Sequence, residues 1–233
     1  MLYKDKSVEL CLEGPNSMLR ELPEKEKELL AENFISRSYR KGEAIFHEGE
    51  KPAGLYFLAN GKVKVTMSGV GGRDQIIRMI KPQGLFGYNA VFANSTYNAS
   101  AVAMEESSVC ILNDKAFIEL IKNNPELSLK LIKMMASNTT FLNERTVSLT
   151  QKHIRGRLAE SLIVLKDTYG LENDGVTIKA NVSREDLANL SNMTTSNAIR
   201  TLSMFAEEEI IALEGKKIRI LNVAKLEKIS KLG

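Results

Sequence analysis

Cysteine is scarce in this chain: its 233 residues include two, Cys11 and Cys110. Two thiols cannot make a disulfide framework, and neither has neighbours at the short repeated spacing of a zinc or iron–sulfur site. The chain is therefore expected to fold by burying apolar surface in a reducing cytoplasm. Histidine is as scarce, with His47 and His153 far apart in sequence. There is no nucleophile elbow and no GxxxxGK phosphate loop, and "EEE" at 207–209 reads as a solvated helix end. No catalytic residue, no metal site and no enzyme activity are expected, and no cofactor is assigned. Long hydrophobic runs are missing too. The opening "MLYKDKSVELCLEG" has no apolar core of signal-peptide length, and no later run could span a bilayer, which excludes membrane classes. Charge of one sign is also lacking, since 32 Lys and Arg stand against 29 Asp and Glu for a net +3. So even a balance names no partner, and charge placement has to.

What is present is 43% hydrophobic and 26% charged residues, the profile of a globular protein with one large or two small domains. From about Phe34 to Leu112 short apolar or alternating runs recur between glycines: "EAIFHEGE", "GLYFLANGKVKVTM", "QIIRMI", "SAVAM", "SVCIL". Short strands at such spacing predict an antiparallel sandwich or roll. Asn60-Gly61 is the signal of a two-residue hairpin, and "SGVGGRD" marks a looser turn. Ahead of the roll, "LRELPEKEKELLAENF" predicts a short helix burying Leu22, Leu29, Leu30 and Phe34.

The texture changes at "NNPEL". Asn124 as N-cap, Pro125 at the first helical position and Glu126 at the positive end of the dipole open a helix, and no Gly or Pro follows until Gly156. Leu131, Met135, Leu142 and Leu149 lie near a heptad seam, with Asn138 and Arg145 between them. That pattern predicts a helix shared with a second copy of the chain.

The stretch "SREDLANLSNMTTSNAIRTLSMF" holds two short apolar periodicities around one tight corner. Ser183 with Asp186 reads as a capping-box variant over Leu187, Ala188 and Leu190. Asn192 supplies the left-handed corner, and Thr194 or Thr195 restarts a helix whose buried stripe is Ala198, Ile199, Leu202 and Phe205. This is a helix-turn-helix. Two β-rich runs around Glu214-Gly215 follow, flanked by Lys216, Lys217 and Arg219, which makes it winged. The second helix then offers Thr195, Ser196, Asn197 and Arg200 to base edges in a major groove. Ser183, Arg184, Thr194, Lys216 and Lys217 are candidates for phosphate contacts.

The order of these parts, and above all "GLYFLANGKVKV", "HIRGRLAESLIVL" and "SREDLANLSNMTTSNAIRTL", resembles the Crp/Fnr family of bacterial transcription regulators over nearly the whole chain. The expected fold class is α+β. It comprises an effector-sensing, cyclic-nucleotide-binding-like jelly roll with a short N-terminal helix (residues 1–124), a long dimerisation helix (125–152) and a winged helix-turn-helix (153–233). The resemblance implies a homodimer on a two-fold-related site in double-stranded DNA and a small-molecule effector in the roll, and it admits RNA polymerase as a further partner. The other class of function considered is a cyclic-nucleotide-binding sensory module acting mainly through a protein partner.

The chain departs from the family where effectors bind. Cyclic-nucleotide members hold the phosphate with Gly-Glu and Arg-Ser pairs; the matching positions here are Gly87-Tyr88 and Asn98-Ala99, and the long-helix Thr-Ser pair is Leu142-Asn143. A buried phosphate needs a cation or several converging amides, so these residues argue against cyclic AMP. A pocket of Phe86, Gly87, Tyr88, Asn89, Asn98, Ala99, Ser100, Leu142 and Asn143 would hold something else. The iron–sulfur branch needs more cysteines than Cys11 and Cys110, and the turn and helix-end positions of His47 and His153 suit no haem. On the recognition helix, Thr195 and Ser196 stand where G·C-reading members carry Arg-Glu, while Arg200 keeps the guanine-reading residue.

Overall fold

A computed structural model describes Tyr3 and residues 5–233. Its first element is a helix the glycine-punctuated pattern left out of account. Asp5 accepts a hydrogen bond from the Ser7 amide at 2.7 Å, which starts α1 (Lys6–Glu13). Val8, Cys11 and Leu12, at i, i+3 and i+4, form its buried side. Helix α2 (Glu24–Glu32) follows, with Leu22, Leu30 and Phe34 buried as expected. Leu29 is corrected: it lies one residue, about 100°, round from Leu30 and is 50% exposed.

Strands β1 (Phe34–Tyr39), β2 (Ala44–Phe46), β3 (Leu55–Asn60), β4 (Val63–Ser68), β5 (Asp74–Ile80), β6 (Leu85–Phe86), β7 (Ser100–Ala103) and β8 (Ser107–Leu112) make two four-stranded sheets, ordered β1-β8-β3-β6 and β2-β7-β4-β5. The first strand begins and the last ends where the sequence pattern placed the roll, and Phe34 pairs directly with Leu112. The Asn60-Gly61 turn is not a hairpin, because β3 and β4 lie in different sheets and the chain crosses from one to the other there. Glycine is required at that corner: Gly61 has φ 97°, and a Cβ would stand 2.2 Å from Ser107 Oγ. The hairpin is instead β4–β5, closed by the "SGVGGRD" turn, in which the Gly69 amide donates to the Arg73 carbonyl. Phe57, Phe117, Leu12, Leu30 and Leu112 form one core of the roll; Phe46, Tyr56, Phe86 and Tyr97 belong to a second.

After α3 (Tyr88–Phe92) and α4 (Asp114–Asn123), Asn124 accepts from the Leu127 amide at 3.0 Å and starts α5 (Pro125–Gln151), as "NNPEL" required. Contacts divide the chain into two compact units. One holds the residues up to Met67 with Arg78–Thr139; the other holds Ser68–Ile77 with Thr140–Gly233, so α5 contributes to both. In the second unit α6 (Ile154–Tyr169) is the central helix, packed by α7 (Arg184–Leu190), α8 (Thr195–Glu207) and α9 (Val223–Leu232), beside the antiparallel pair β9 (Ile211–Glu214) and β10 (Lys217–Ile220). Leu158, Leu162, Leu187, Leu202, Phe205 and Leu226 are fully buried there.

Several residues expected at a dimer seam are buried within the single chain. Leu131 and Arg145 are each 5% exposed within one chain, and Met135, Asn138 and Leu149 are half-buried, so of that set Leu142 alone reaches solvent freely. The solvent-facing line of α5 lies one residue on, through Leu129, Ile132, Ala136, Thr139, Asn143, Thr146 and Thr150. Its spacing of three and four is a heptad repeat. Thr139, Thr146 and Thr150 donate their hydroxyls to carbonyls four residues back, so those donors are satisfied within the helix.

Candidate nucleic-acid interface and roll interior

The corner between α7 and α8 is built from three short-range devices. Ser183 caps α7 by accepting from the Asp186 amide at 2.9 Å, and its own hydroxyl donates to Asp186 Oδ2 at 2.6 Å. In this arrangement the Ser183 hydroxyl, expected to meet a phosphate, is engaged by Asp186. Asn192 turns the chain with φ 49°. Thr194 caps α8, accepting from the Asn197 amide at 3.3 Å. A missing cap of this kind costs about 1 kcal/mol.

Helix α8 buries Ala198, Thr201, Leu202 and Phe205. Ile199, expected in that stripe, is 48% exposed, because a position one residue from Ala198 is turned about 100° out of the face. Thr195, Ser196 and Arg200 are exposed and Asn197 is half-buried. Arg200 Nη2 donates to Asn197 Oδ1 at 3.1 Å, which orders the guanidinium along the helix while leaving other N–H groups of its fork for a base. Ile199 adds an outward apolar group to the same surface, of the kind that meets a thymine methyl. The sequence reading missed it by assigning it to the core.

The wing turn carries exposed Lys216 and Lys217, and Gly215 there has φ 58°. Arg184 Nη2 donates to the Gly215 carbonyl at 2.9 Å, fastening the start of α7 to the wing. Glu208 pairs with Arg155 at 2.7 Å and with Lys225 at 3.6 Å, and the Arg155 hydrogen bond lowers its pKa. Glu208, in the middle of the acidic run, is thus tied down at a helix end.

In the roll, Gly87 (φ 72°) precedes α3, and Tyr88 is 3% exposed. The Tyr88 hydroxyl accepts from Asn138 Nδ2 at 2.7 Å and from Arg78 Nη1 at 3.2 Å, and the Arg78 guanidinium lies 5.8 Å from the ring centre. Arg78 therefore reaches the Gly87-Tyr88 segment, although it comes from β5. Phe86 and Ala99 are buried, Asn89 and Asn98 are exposed, and Ser100 Oγ accepts from the Glu48 amide at 2.9 Å. Leu142 and Asn143 are exposed on α5 and belong to the other unit. Behind Phe86 lies an aromatic cluster in which Phe46 stacks on Tyr97 at 3.9 Å, with Tyr56 beside both. A Cβ on Gly87 would stand 3.0 Å from the Tyr56 ring.

Cys11 and Cys110 are both buried. A hydrogen bond with the Cys110 thiol, then burial, pushes the Cys11 pKa up, which favours the thiol over the thiolate. Among the described residues no cluster of His, Cys, Asp and Glu could hold a metal ion, and no helix is long and apolar enough to cross a membrane.

The chain matches two families: the cyclic nucleotide-binding domain over residues 36–124 and the Crp-like helix-turn-helix domain over residues 156–229. Among curated relatives, the CRP-like cAMP-activated global transcriptional regulator of Mycobacterium tuberculosis is 26% identical over 189 residues, covering 81% of this chain and 84% of that protein. The cyclic AMP receptor protein of Thermus thermophilus is 26% identical over 209 residues, 90% of this chain and 94% of its own. Among solved structures, FixK2 from Bradyrhizobium japonicum superposes with a TM-score of 0.75 at 24% identity, over 84% of this chain and 96% of that one. This last likeness is one of fold.

Proposed function

Since the chain belongs to the Crp/Fnr family of transcription regulators and carries its DNA-binding helix-turn-helix, we propose that it acts in the cytoplasm as a homodimer and reads a two-fold-related duplex through α8, with a small molecule other than cyclic AMP, or no ligand at all, setting its active state. The observation that carries the DNA reading is the outer face of α8. Thr195, Ser196, Ile199 and Arg200 stand exposed in one patch, placed by the left-handed Asn192 and the Thr194 cap. Those groups can address base edges, whereas Arg184, Lys216 and Lys217 near the wing suit phosphates. Dimerisation is assigned to the exposed heptad of α5, which would set two α8 helices on two half-sites.

Repeated selection from random duplex DNA tests the first part. An inverted repeat whose binding weakens steeply with salt is expected; a pool that stays random through the selection overturns it.

The effector reading departs from relatives named for cyclic AMP. What supports it is the use already made of the candidate phosphate segment: Tyr88 fills it, Arg78 and Asn138 are engaged by the Tyr88 hydroxyl, and Asn98-Ala99 brings no charge. Neither cyclic AMP nor cyclic GMP is expected to bind with micromolar affinity in calorimetric titration or to alter DNA binding. A micromolar dissociation constant coupled to roughly a tenfold gain in DNA affinity, about 1.4 kcal/mol, contradicts this.

A further inference from the structure

Arg145 is a charged side chain buried among the last turns of α5, and its partners all lie in the compact unit that holds the helix-turn-helix. Its Nη2 donates to the carbonyl of Leu190, the last residue of α7. Its Nη1 stands 3.9 Å from Glu160 Oε1 on α6, and Glu160 also pairs with Lys152 at 2.7 Å and accepts from the Ser148 hydroxyl. Burial lowers the pKa of the Arg145 guanidinium and the Glu160 carboxylate raises it. The Leu190 carbonyl lies at the end of a seven-residue helix, where no further turn supplies an N–H to it. A cation there satisfies the carbonyl and meets the negative end of the helix dipole. Gln75 Nε2 is a second, longer donor to the same oxygen at 3.4 Å. Two residues past Leu190 comes Asn192, whose left-handed turn sets the direction of α8.

We propose that Arg145 is a positioning residue for DNA reading: by capping α7 at the Leu190 carbonyl while paired to Glu160, it fixes the corner from which α8 starts and so the approach of Arg200 and its neighbours to base edges. The inference rests on the reading of α8 as the recognition helix. Cutting the cap frees the corner without removing any group that touches DNA. Specific recognition, which needs several side chains in register with bases, is lost, while the phosphate attraction that holds any duplex remains.

The test uses the full-length protein with Arg145→Met, which keeps the stem and removes the charge, and Arg145→Lys, which keeps the charge and loses the planar fork. Affinity is measured for the duplex selected by the unaltered protein and for random duplex, and amide hydrogen exchange is followed at residues 191–195. Arg145→Met is expected to lose roughly tenfold or more on the selected duplex, the scale of one hydrogen bond to a charged group, with random duplex little changed and exchange at the corner faster. Arg145→Lys should restore part of both. In combination with Arg200→Ala the losses should fall short of their sum, because both act through the same bases. Equal loss on both duplexes, or unchanged exchange at the corner, overturns the proposal. Should Arg145→Met not fold, Arg145→Lys is judged by the same two readings. If Arg200→Ala alone costs nothing on the selected duplex, the reading of α8 fails; faster exchange at the corner would still report the Arg145 cap.

Discussion

Ile132→Glu and Thr139→Glu are each expected to turn the protein into single chains and to lower its affinity for the selected duplex by about 10²–10⁴-fold, the advantage that linking two binding heads gives over one. Both positions lie on the exposed heptad line of α5, and Ile132 is 61% exposed in one chain. In a two-fold dimer each would bring two carboxylates together across the helix pair, at a place where uncharged side chains otherwise meet. Leu131→Ala is the counter-test. Leu131 is buried in its own roll, so its truncation should lower stability by about 2–5 kcal/mol and leave the dimer intact. Light scattering separates the outcomes: a dimer that survives both glutamates, or one that falls apart with Leu131→Ala while the fold holds, places the interface elsewhere.

Arg200→Ala should cost about 1–3 kcal/mol on the selected duplex and relax preference at one base pair in each half-site. The side chain is exposed and held by Asn197, so its removal leaves the core of the helix-turn-helix untouched. Lys216→Ala or Lys217→Ala, by contrast, should weaken all duplexes alike and flatten the salt dependence, as loss of a phosphate contact does. Equal loss on selected and random duplex for Arg200→Ala would contradict a base contact.

Features fixed by short-range chemistry were the ones legible in the sequence. The Asn124 cap, the Ser183 and Thr194 caps and the left-handed Asn192 depend on a few neighbouring residues, and each stands where the residue pattern put it. Features decided by which surface lies opposite were not. Leu131 and Ile132 are both apolar and adjacent, and only the roll core beneath α5 decides that the first is buried and the second exposed. For the same reason Leu131 and Arg145, read as facing a partner, are buried within their own chain. The Asn60-Gly61 signal predicts a tight turn, but whether the strands on either side pair depends on β8, far along the chain, which takes β3 away from β4. Arg78 was legible in principle, since it shares the period-two face of β5 with buried Ile76 and Ile80. Its reach across to Tyr88 required the fold.

The pairing of Phe34 with Leu112 has a consequence for synthesis. The last strand of the roll is an inner strand, with β1 on one side and β3 on the other, so the first sheet cannot assemble until the chain has been made past Leu112. Pairing ends so distant in sequence is entropically slow, and β1 and β3 wait meanwhile with open edges. The Ser183 and Thr194 caps of the α7–α8 corner, by contrast, close through residues three positions on. On the ribosome the roll is therefore the stretch that depends on protection until Leu112 has been made.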